Sequence, residues 1–119
     1  MHVLILPSWY PTPSQPTRGI FFREQAQALR GSGLQIGVIA PQRQSLRRFA
    51  RRKNVASAGL DFVDDNGVAT YSHYGWSWFP FWPPCHAKLW LLSGRRLFEH
   101  YVRQQGMPDL IHVHSALYG

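Results

Sequence analysis

Two positions far apart in the chain carry residue types that could do chemistry, a histidine near its end and a glycine near its beginning. His114 ends segment 109–114, whose alternating apolar residues predict a strand. Gly19 ends the proline-punctuated segment 7–19, which leads into a segment of helical periodicity. A histidine at a strand end can act as a general base, bind a hydroxyl group or orient a phosphate. The free N–H groups at a helix start beside Gly19 favour an anion.

The segments around Gly19 predict the opening of an α/β fold. Segment 2–6 is a short apolar run without charge, typical of a buried strand, and segment 20–29 has the period of an amphipathic helix. A second strand is predicted over 34–40, ended by the proline that follows it. Strand, helix and strand in this order form a βαβ unit with parallel strands. Because ligands bind outside the carboxyl ends of such strands, we expect Gly19 and His114 to face one crevice.

The middle of the chain predicts a basic segment, a pair of strands and a second helix. Segment 42–53 holds six of the cations, and it predicts either a solvated helix or loop, or a patch that docks on anionic headgroups or phosphate. Segment 60–74 has an Asp-Asn-Gly turn between two alternating runs, which is typical of a β-hairpin. Segment 86–105 has helical periodicity, with Leu91 and Tyr101 on the face predicted to be buried.

The aromatic segment 74–84 holds three of the five tryptophans, and its prolines predict a loop because they forbid a regular helix. Such a loop either covers the core or forms a binding surface. Aromatic faces stack on sugar rings and also insert at membrane interfaces. Tyr74, Trp76 and Trp78 are therefore the candidate residues of this segment for contact with a ligand.

Length and composition bound the class of protein. The 119 residues predict one domain, 1–119, with a hydrophobic core. The single cysteine, Cys85, excludes an internal disulfide, and the sequence shows neither a signal peptide nor the apolar run of about 20 residues that a membrane helix needs. We therefore expect a cytoplasmic protein, or one bound peripherally to the inner face of the cell membrane.

The charge of the chain favours anionic partners without choosing among them. It has 13 Lys plus Arg against 6 Asp plus Glu, a formal net charge of +7. A basic module that binds a phosphorylated ligand or nucleic acid without catalysis remains an alternative, although no nucleic-acid motif is present and nucleic acid is not the expected partner. A dinucleotide-dependent oxidoreductase is disfavoured, because the first loop has prolines in place of the Gly-x-Gly-x-x-Gly pattern.

Four stretches together carry a resemblance to a known family. Segments 8–13, 16–29, 37–41 and 108–115 resemble the N-terminal domain of GT-B glycosyltransferases. The likeness is greatest to the retaining, nucleotide-sugar-dependent group called glycosyltransferase family 4, in its bacterial envelope and exopolysaccharide branch. It covers essentially the whole chain. The resemblance implies a Rossmann-like open parallel sheet and transfer of a sugar to an envelope, exopolysaccharide or lipid-linked glycan.

The resemblance also implies roles for particular residues. In the family, the glycine-bearing loop after the first strand approaches the donor diphosphate, which corresponds to Gly19 with Arg18 beside it. The second histidine of the family's Asp-x-x-His-x-His block lies near the reacting sugar, and here it is His114, the expected catalytic residue. The implied partners are a nucleotide-sugar donor and a glycan or lipid-linked acceptor. The aromatic residues Tyr74, Trp76 and Trp78 are our own expectation for contacts with that acceptor. Neither a cofactor nor a metal is expected.

The sequence departs from the family in two respects. The family loop often carries a Gly-Gly pair, whereas here Arg18 precedes a single glycine. The family's second Rossmann-like domain, with its basic pair and its Glu-x7-Glu motif, has no counterpart in these residues. The resemblance therefore predicts an incomplete GT-B enzyme, whose C-terminal domain is absent and which is inactive alone.

Overall fold

The computed structural model describes residues 1–11, 16–45, 59–77 and 83–114. They form five strands and two helices, which we number in chain order: β1 His2–Leu6, α1 Ile20–Gly31, β2 Gln35–Ser45, β3 Gly59–Asp65, β4 Val68–Ser77, α2 Pro83–Gln105 and β5 Leu110–Val113. The alternation of strands and helices is that of an α/β protein. The predicted fold class is therefore confirmed.

The five strands form one sheet in the order β3-β4-β2-β1-β5. Strands β4, β2, β1 and β5 are mutually parallel, and only β3 is antiparallel to its neighbour. The β3–β4 connection is the predicted hairpin, and Asn66 and Gly67 turn the chain with φ of 53° and 85°. The open, mostly parallel sheet confirms the predicted Rossmann-like architecture.

The two helices cover opposite faces of the sheet. Strand residues on one face pack against Phe22 and Ala26 of α1, and these strand residues are Val3, Ile5, Ile36, Val38, Ala40 and Val68. On the other face, Leu4, Ile39 and Tyr71 pack against Leu97 and Tyr101 of α2. The inner strands are therefore apolar on both faces, as the continuous apolar runs of the sequence require.

Tyr101 packs against the sheet at the amino end of β1. Its hydroxyl lies 2.5 Å from Nε2 of His2, and both side chains are buried. The main chain of the same histidine exchanges hydrogen bonds with Asp109: its N–H donates to Oδ2 at 2.8 Å, and its carbonyl accepts the Asp109 N–H at 2.8 Å. Burial raises the pKa of Tyr101 to about 12. The ring lies directly over Gly37, where a Cβ would overlap the hydroxyl.

The prediction that the proline at position 41 ends the second strand was wrong. Strand β2 continues through Pro41 to Ser45 and pairs with β4 along this whole stretch. The pairing of β1 with β2 ends at Ile5 and Val38, so one side of β2 is open at Pro41. A proline, which has no N–H to donate, is tolerated at such an open side. The rest of the basic segment, 46–53, lies outside the described residues.

The predicted loop over 74–84 was also partly wrong. Its first residues, Tyr74 to Ser77, extend β4, where they pair with the extended end of β2. Residues 78–82 lie outside the described part of the chain. Helix α2 begins at Pro83, three residues before the predicted start at 86. Prolines fit the first turn of a helix because the N–H groups there have no helical partner.

Two arginines join α1 to the hairpin. Arg23 donates from Nε to Asp65 Oδ2 at 2.5 Å and from a terminal nitrogen to Oδ1 at 2.8 Å. Arg30 donates from Nε to the carbonyl of Gly67 at 2.8 Å. The hydrogen bond to Arg23 holds the pKa of Asp65 below its ordinary value of 3.8. These contacts fix the first helix against the edge of the sheet.

We expect Asp65→Asn to destabilise the protein by about 1 kcal/mol at pH 7, a value kept small because the partner arginine is partly exposed. A carboxyl whose pKa is lowered on folding stabilises the fold above its unfolded value, and this contribution is lost as the pH falls through the lower folded value. The difference in unfolding free energy between wild type and variant, measured in urea, should therefore shrink as the pH is lowered from 7 to 2. Asp61→Asn, which changes an exposed carboxylate of the same strand, is the control, and an equal loss at pH 2 and 7 would contradict the assignment.

Candidate functional site

Gly19 forms the turn between the first loop and α1. It lies at the N-cap position with φ 71°, in the left-handed region, and it provides no side-chain cap. A Cβ at this position would lie 2.5 Å from the carbonyl oxygen of Trp9. Only glycine therefore permits this approach of the turn to the main chain that follows β1. The contact holds the start of α1 against the carboxyl end of the first strand.

His114 lies at the same end of the neighbouring strand. Its N–H donates to the carbonyl of Leu6 at 3.0 Å, which continues the parallel pairing of β1 and β5. Its own carbonyl accepts a hydrogen bond from the Ser8 hydroxyl at 2.6 Å. The main chain of His114 is therefore fixed to the first residues of the loop that leads to the glycine turn.

The imidazole of His114 packs on the first turn of α1. Its ring centroid lies 4.7 Å from that of Phe22 and 6.5 Å from that of Phe21, the latter in an edge-on arrangement. On its own strand it lies 4.1 Å from the ring of His112. Because Phe22 follows Gly19 by three residues, the structure brings the histidine and the glycine turn to one edge of the sheet.

The electrostatics of His114 favour the neutral imidazole. Burial, and secondly the charge of His112, lower the pKa of His114 from its ordinary value of 6.5. Its Nε2 atom is inaccessible to solvent and has no hydrogen-bond partner among the residues that the structure describes. A neutral imidazole nitrogen can accept a proton or a hydrogen bond, and this one would have to become accessible before a ligand hydroxyl could reach it.

We expect His112→Ala to raise the pKa of His114 toward 6.5 without reaching it, because burial is the larger cause of the shift. Since folding lowers this pKa, the neutral ring's contribution to stability is lost as the pH falls below 6.5. NMR titration of the imidazole protons measures the change. His100→Ala, a histidine of α2 that contacts Tyr71, is the control and should leave the titration unchanged. An unaltered pKa in His112→Ala would show that the two rings do not interact.

Arg18 lies immediately before the glycine turn, and its guanidinium stands over the ring of Trp9 at 5.8 Å from the centroid. The contact is a cation–π interaction on an exposed part of the edge. It places a positive charge beside the start of α1. Both predicted donor-binding residues, Arg18 and Gly19, therefore lie in the same turn.

Two of the three predicted acceptor residues, Tyr74 and Trp76, have their main chain elsewhere on the sheet. The main chain of Tyr74 and Trp76 belongs to the carboxyl-terminal half of β4, opposite Gln42 and Gln44 of β2, and Trp78 lies outside the described residues. Strand β4 is separated from β5 by three strand spacings, about 14 Å. The structure does not bring the main chain of Tyr74 and Trp76 next to His114, although all three residues lie toward the carboxyl ends of parallel strands.

Comparison with known proteins identifies a similar sequence. The chain is 28% identical, over 128 residues, to the Bacillus subtilis (strain 168) protein named "Putative teichuronic acid biosynthesis glycosyltransferase TuaC". The alignment covers 98% of this chain and 30% of that protein, so the chain spans less than a third of the relative's length. The similarity supports a glycosyltransferase. No family model matches the sequence, and no solved structure matches it.

The described edge brings together three groups that can interact with a ligand. It combines a helix start, a cation and a neutral histidine. Within the described residues, no group of three or more metal-binding side chains is present. No described helix is long and apolar enough to cross a membrane.

Three contributors to this edge were missed by sequence reasoning. Ser8 fixes the main chain of His114, Phe22 packs on its ring, and Trp9 carries the arginine. Their positions just after β1 and just inside α1 were the available signal, because both places border the predicted crevice. The long-range contacts themselves leave no pattern in the sequence.

Proposed function

We propose that this chain is the N-terminal, acceptor-side half of a GT-B glycosyltransferase that uses a nucleotide-sugar donor. The observation that carries the proposal is the packing of His114 on α1 three residues after Gly19, at the edge where parallel sheets bind ligands. The similarity to the Bacillus glycosyltransferase supports it independently. A second α/β domain would supply the remaining donor contacts, and the chain alone would not complete the transfer.

The residues at this edge would have different roles in such a reaction. The start of α1 beside Gly19 stabilises the negative charge of the donor diphosphate, and Arg18 adds a cation. The neutral imidazole of His114 would lie beside the reacting sugar or the attacking hydroxyl. The resemblance to family 4 implies that this histidine contacts the donor sugar and helps to position the acceptor.

The acceptor we propose is a bacterial envelope glycan, free or lipid-linked. The name of the Bacillus relative refers to teichuronic acid biosynthesis. Tyr74, Trp76 and Trp78 would contact the acceptor beyond its reacting sugar. The basic segment 42–53 and the aromatic segment 74–82 together would hold the enzyme on the cytoplasmic face of an anionic membrane. Sedimentation with phosphatidylglycerol and phosphatidylcholine vesicles at low salt tests this attachment, which equal binding to both would refute.

Donor binding is tested by phosphorus NMR titration of the chain with UDP-glucose, GDP-mannose and ADP-glucose. We expect one of them to bind, and Arg18→Ala to weaken that binding about tenfold by removing a charge-assisted contact. Arg95→Ala, which removes an exposed cation paired with Glu99 on α2, is the matched control. Binding of inorganic diphosphate or an oligonucleotide, but of no nucleotide sugar, would instead favour the basic module without catalysis.

A further inference from the structure

Strand β5 has the composition of an interior strand, although it lies at an edge of the sheet. Among the described strands it pairs with β1 alone. Three of its four residues are apolar and exposed, Leu110 by 51%, Ile111 by 48% and Val113 by 42%. It carries neither the lysine nor the proline that commonly protects an open edge. A strand that is apolar on both faces is typical of the interior of a parallel sheet, where helices cover it on both sides.

The other open edge of the sheet is protected. Strand β3 carries three carboxylates, Asp61, Asp64 and Asp65, along its seven residues. Charged side chains on an edge strand oppose pairing with a further strand. Of the two edges that the described residues form, β5 is therefore the one suited to accept another strand.

A groove runs beside β5 on the face of the sheet that α2 covers. Ile111 is aligned with Leu4 of β1, which packs on α2. Val113 is aligned in the same way with Leu6, which packs against the same cluster. Because aligned residues of neighbouring strands share a face, both exposed side chains of β5 lie on the α2 face and form the floor of the groove.

The flank of α2 that borders this floor is also apolar. His100, on one flank of the helix, contacts Tyr71 of β4. Phe98 and Val102 lie on the other flank, toward β1 and β5. They belong to a cavity of about 420 Å³, which is lined by Phe98, Glu99, Val102, Arg103 and Met107. An apolar base with one acidic and one basic residue at its rim is a surface that an amphipathic helix can cover.

The order of the strands determines where a further helix would lie. Helix α1 connects β1 to β2, a step toward the β3 edge, and it covers one face. Helix α2 connects β4 to β5, a step in the opposite direction, and it covers the other face. The two crossovers therefore have the same hand, and parallel crossovers are nearly always right-handed. A strand added outside β5 continues the step made by α2, so its connecting helix must lie on the α2 face, in the groove.

A lipid or a second copy of the chain satisfies this surface less completely. An acyl chain offers no hydrogen-bond partner to the open main-chain groups of β5, and burying such groups unpaired costs free energy. A second copy paired edge to edge supplies a strand. Its own α2 stays over its β2 and β4, however, and leaves Ile111 and Val113 uncovered. A helix followed by a strand covers both the groove and the edge.

We propose that the groove receives an amphipathic helix and that the open edge of β5 pairs with a parallel apolar strand directly after it, both from the same polypeptide beyond β5. The similar Bacillus protein has ample length for such a segment, since the alignment covers 30% of it. The sheet then gains a sixth strand, and the domain predicted over 1–119 is part of a larger one. This inference rests on the sheet and not on the proposed function.

Fusion of a designed segment to Gly119 tests the docking surface. The segment has an amphipathic helix of about 12 residues, a glycine turn and an apolar strand of about five residues. We expect hydrogen exchange of the β5 amides that point away from β1 to slow about a hundredfold, and the urea midpoint of unfolding to rise. A segment of the same composition, whose helix residues are permuted so that no apolar face remains, is the matched control. It should leave both measurements at the values of the unextended chain.

The substitution Ile111→Lys links the gain in stability to the groove. This side chain is 48% exposed in the unextended chain, so the substitution should shift the urea midpoint of that chain little. In the fused chain it places a charge under the docked helix, and it should therefore abolish the gain. Val63→Lys changes a side chain of similar exposure, 51%, on the protected edge and should keep the gain.

The outcomes separate this inference from the proposed function. Equal exchange in the fused chain and its permuted control, or a gain that survives Ile111→Lys, would overturn the docking segment. Sedimentation of the unextended chain as a dimer with protected β5 amides would also overturn it and assign the edge to a second copy. Slower exchange in a fused chain that binds no nucleotide sugar would support the docking segment while refuting the transferase. Nucleotide-sugar binding without slower exchange would refute the docking segment alone.

Discussion

Gly37→Ala is expected to destabilise the fold by about 3 kcal/mol, a large part of the stability of a small domain. Gly37 lies in the middle of β2, and a methyl group there would overlap the hydroxyl and ring of Tyr101. That ring cannot move aside without breaking its hydrogen bond to His2 and leaving both groups buried. Urea unfolding followed by far-UV circular dichroism measures the loss.

A double-mutant cycle identifies the cause. In Gly37→Ala combined with Tyr101→Leu, the methyl group meets a smaller side chain, so the combined loss should be smaller than the sum of the single losses by at least about 1 kcal/mol. Gly94→Ala is the control, since a Cβ at this helical position has no neighbour within 4 Å. It should stabilise α2 by about 0.5–1 kcal/mol. If the loss of unfolding free energy in the double variant equals the sum of the two single losses, the overlap between the Gly37→Ala methyl group and Tyr101 is refuted.

Gly19→Ala is expected to combine a stability loss of about 2–3 kcal/mol with loss of ligand binding at the carboxyl edge. The left-handed conformation costs a residue with a Cβ about 1–2 kcal/mol. The additional cost comes from the carbonyl of Trp9, which lies 2.5 Å from the position of the new methyl group and cannot yield as a side chain would. The turn must open, and the start of α1 moves away from His114.

Gly33→Ala provides a matched control for this second variant. Gly33 has φ 88°, and a Cβ there has no neighbour within 4 Å, so the change isolates the conformational cost alone. It should lose about 1 kcal/mol and leave nucleotide-sugar binding unchanged. Equal unfolding free energies for the two variants would show that the contact with Trp9 contributes nothing.

Local patterns predicted most of the fold. The first strand, the first helix and the hairpin follow from periodicity and from an Asp-Asn-Gly turn, which are properties of neighbouring residues. The end of β2 could not be predicted from local patterns, because a strand tolerates Pro41 only where the neighbouring β1 has stopped pairing with it. Periodicity correctly placed Tyr101 on the buried face of α2, but Leu91 is 58% exposed and Leu97, which was not predicted, is fully buried.

The candidate site was predictable only as far as topology determines it. Parallel pairing of β1 and β5 places His114 at the edge that holds Gly19, and the order of elements alone suggested this. The lowered pKa of His114 and the packing of Phe22 depend on tertiary contacts between residues about 90 positions apart, which no local pattern records. The catalytic and binding roles of these residues stay predictions.

Hydrogen bonds among His2, Tyr101 and Asp109 make the amino end of the sheet more rigid than its carboxyl end. At the amino end, main-chain and side-chain hydrogen bonds tie β1 to α2 and to the start of β5. Amide hydrogens there should exchange with deuterium only through global unfolding, while those of the turn at Gly19 exchange through local opening. We therefore expect the amino end of the sheet to stay assembled while the turn at Gly19 opens, so that motion at the ligand-binding edge does not unfold the domain.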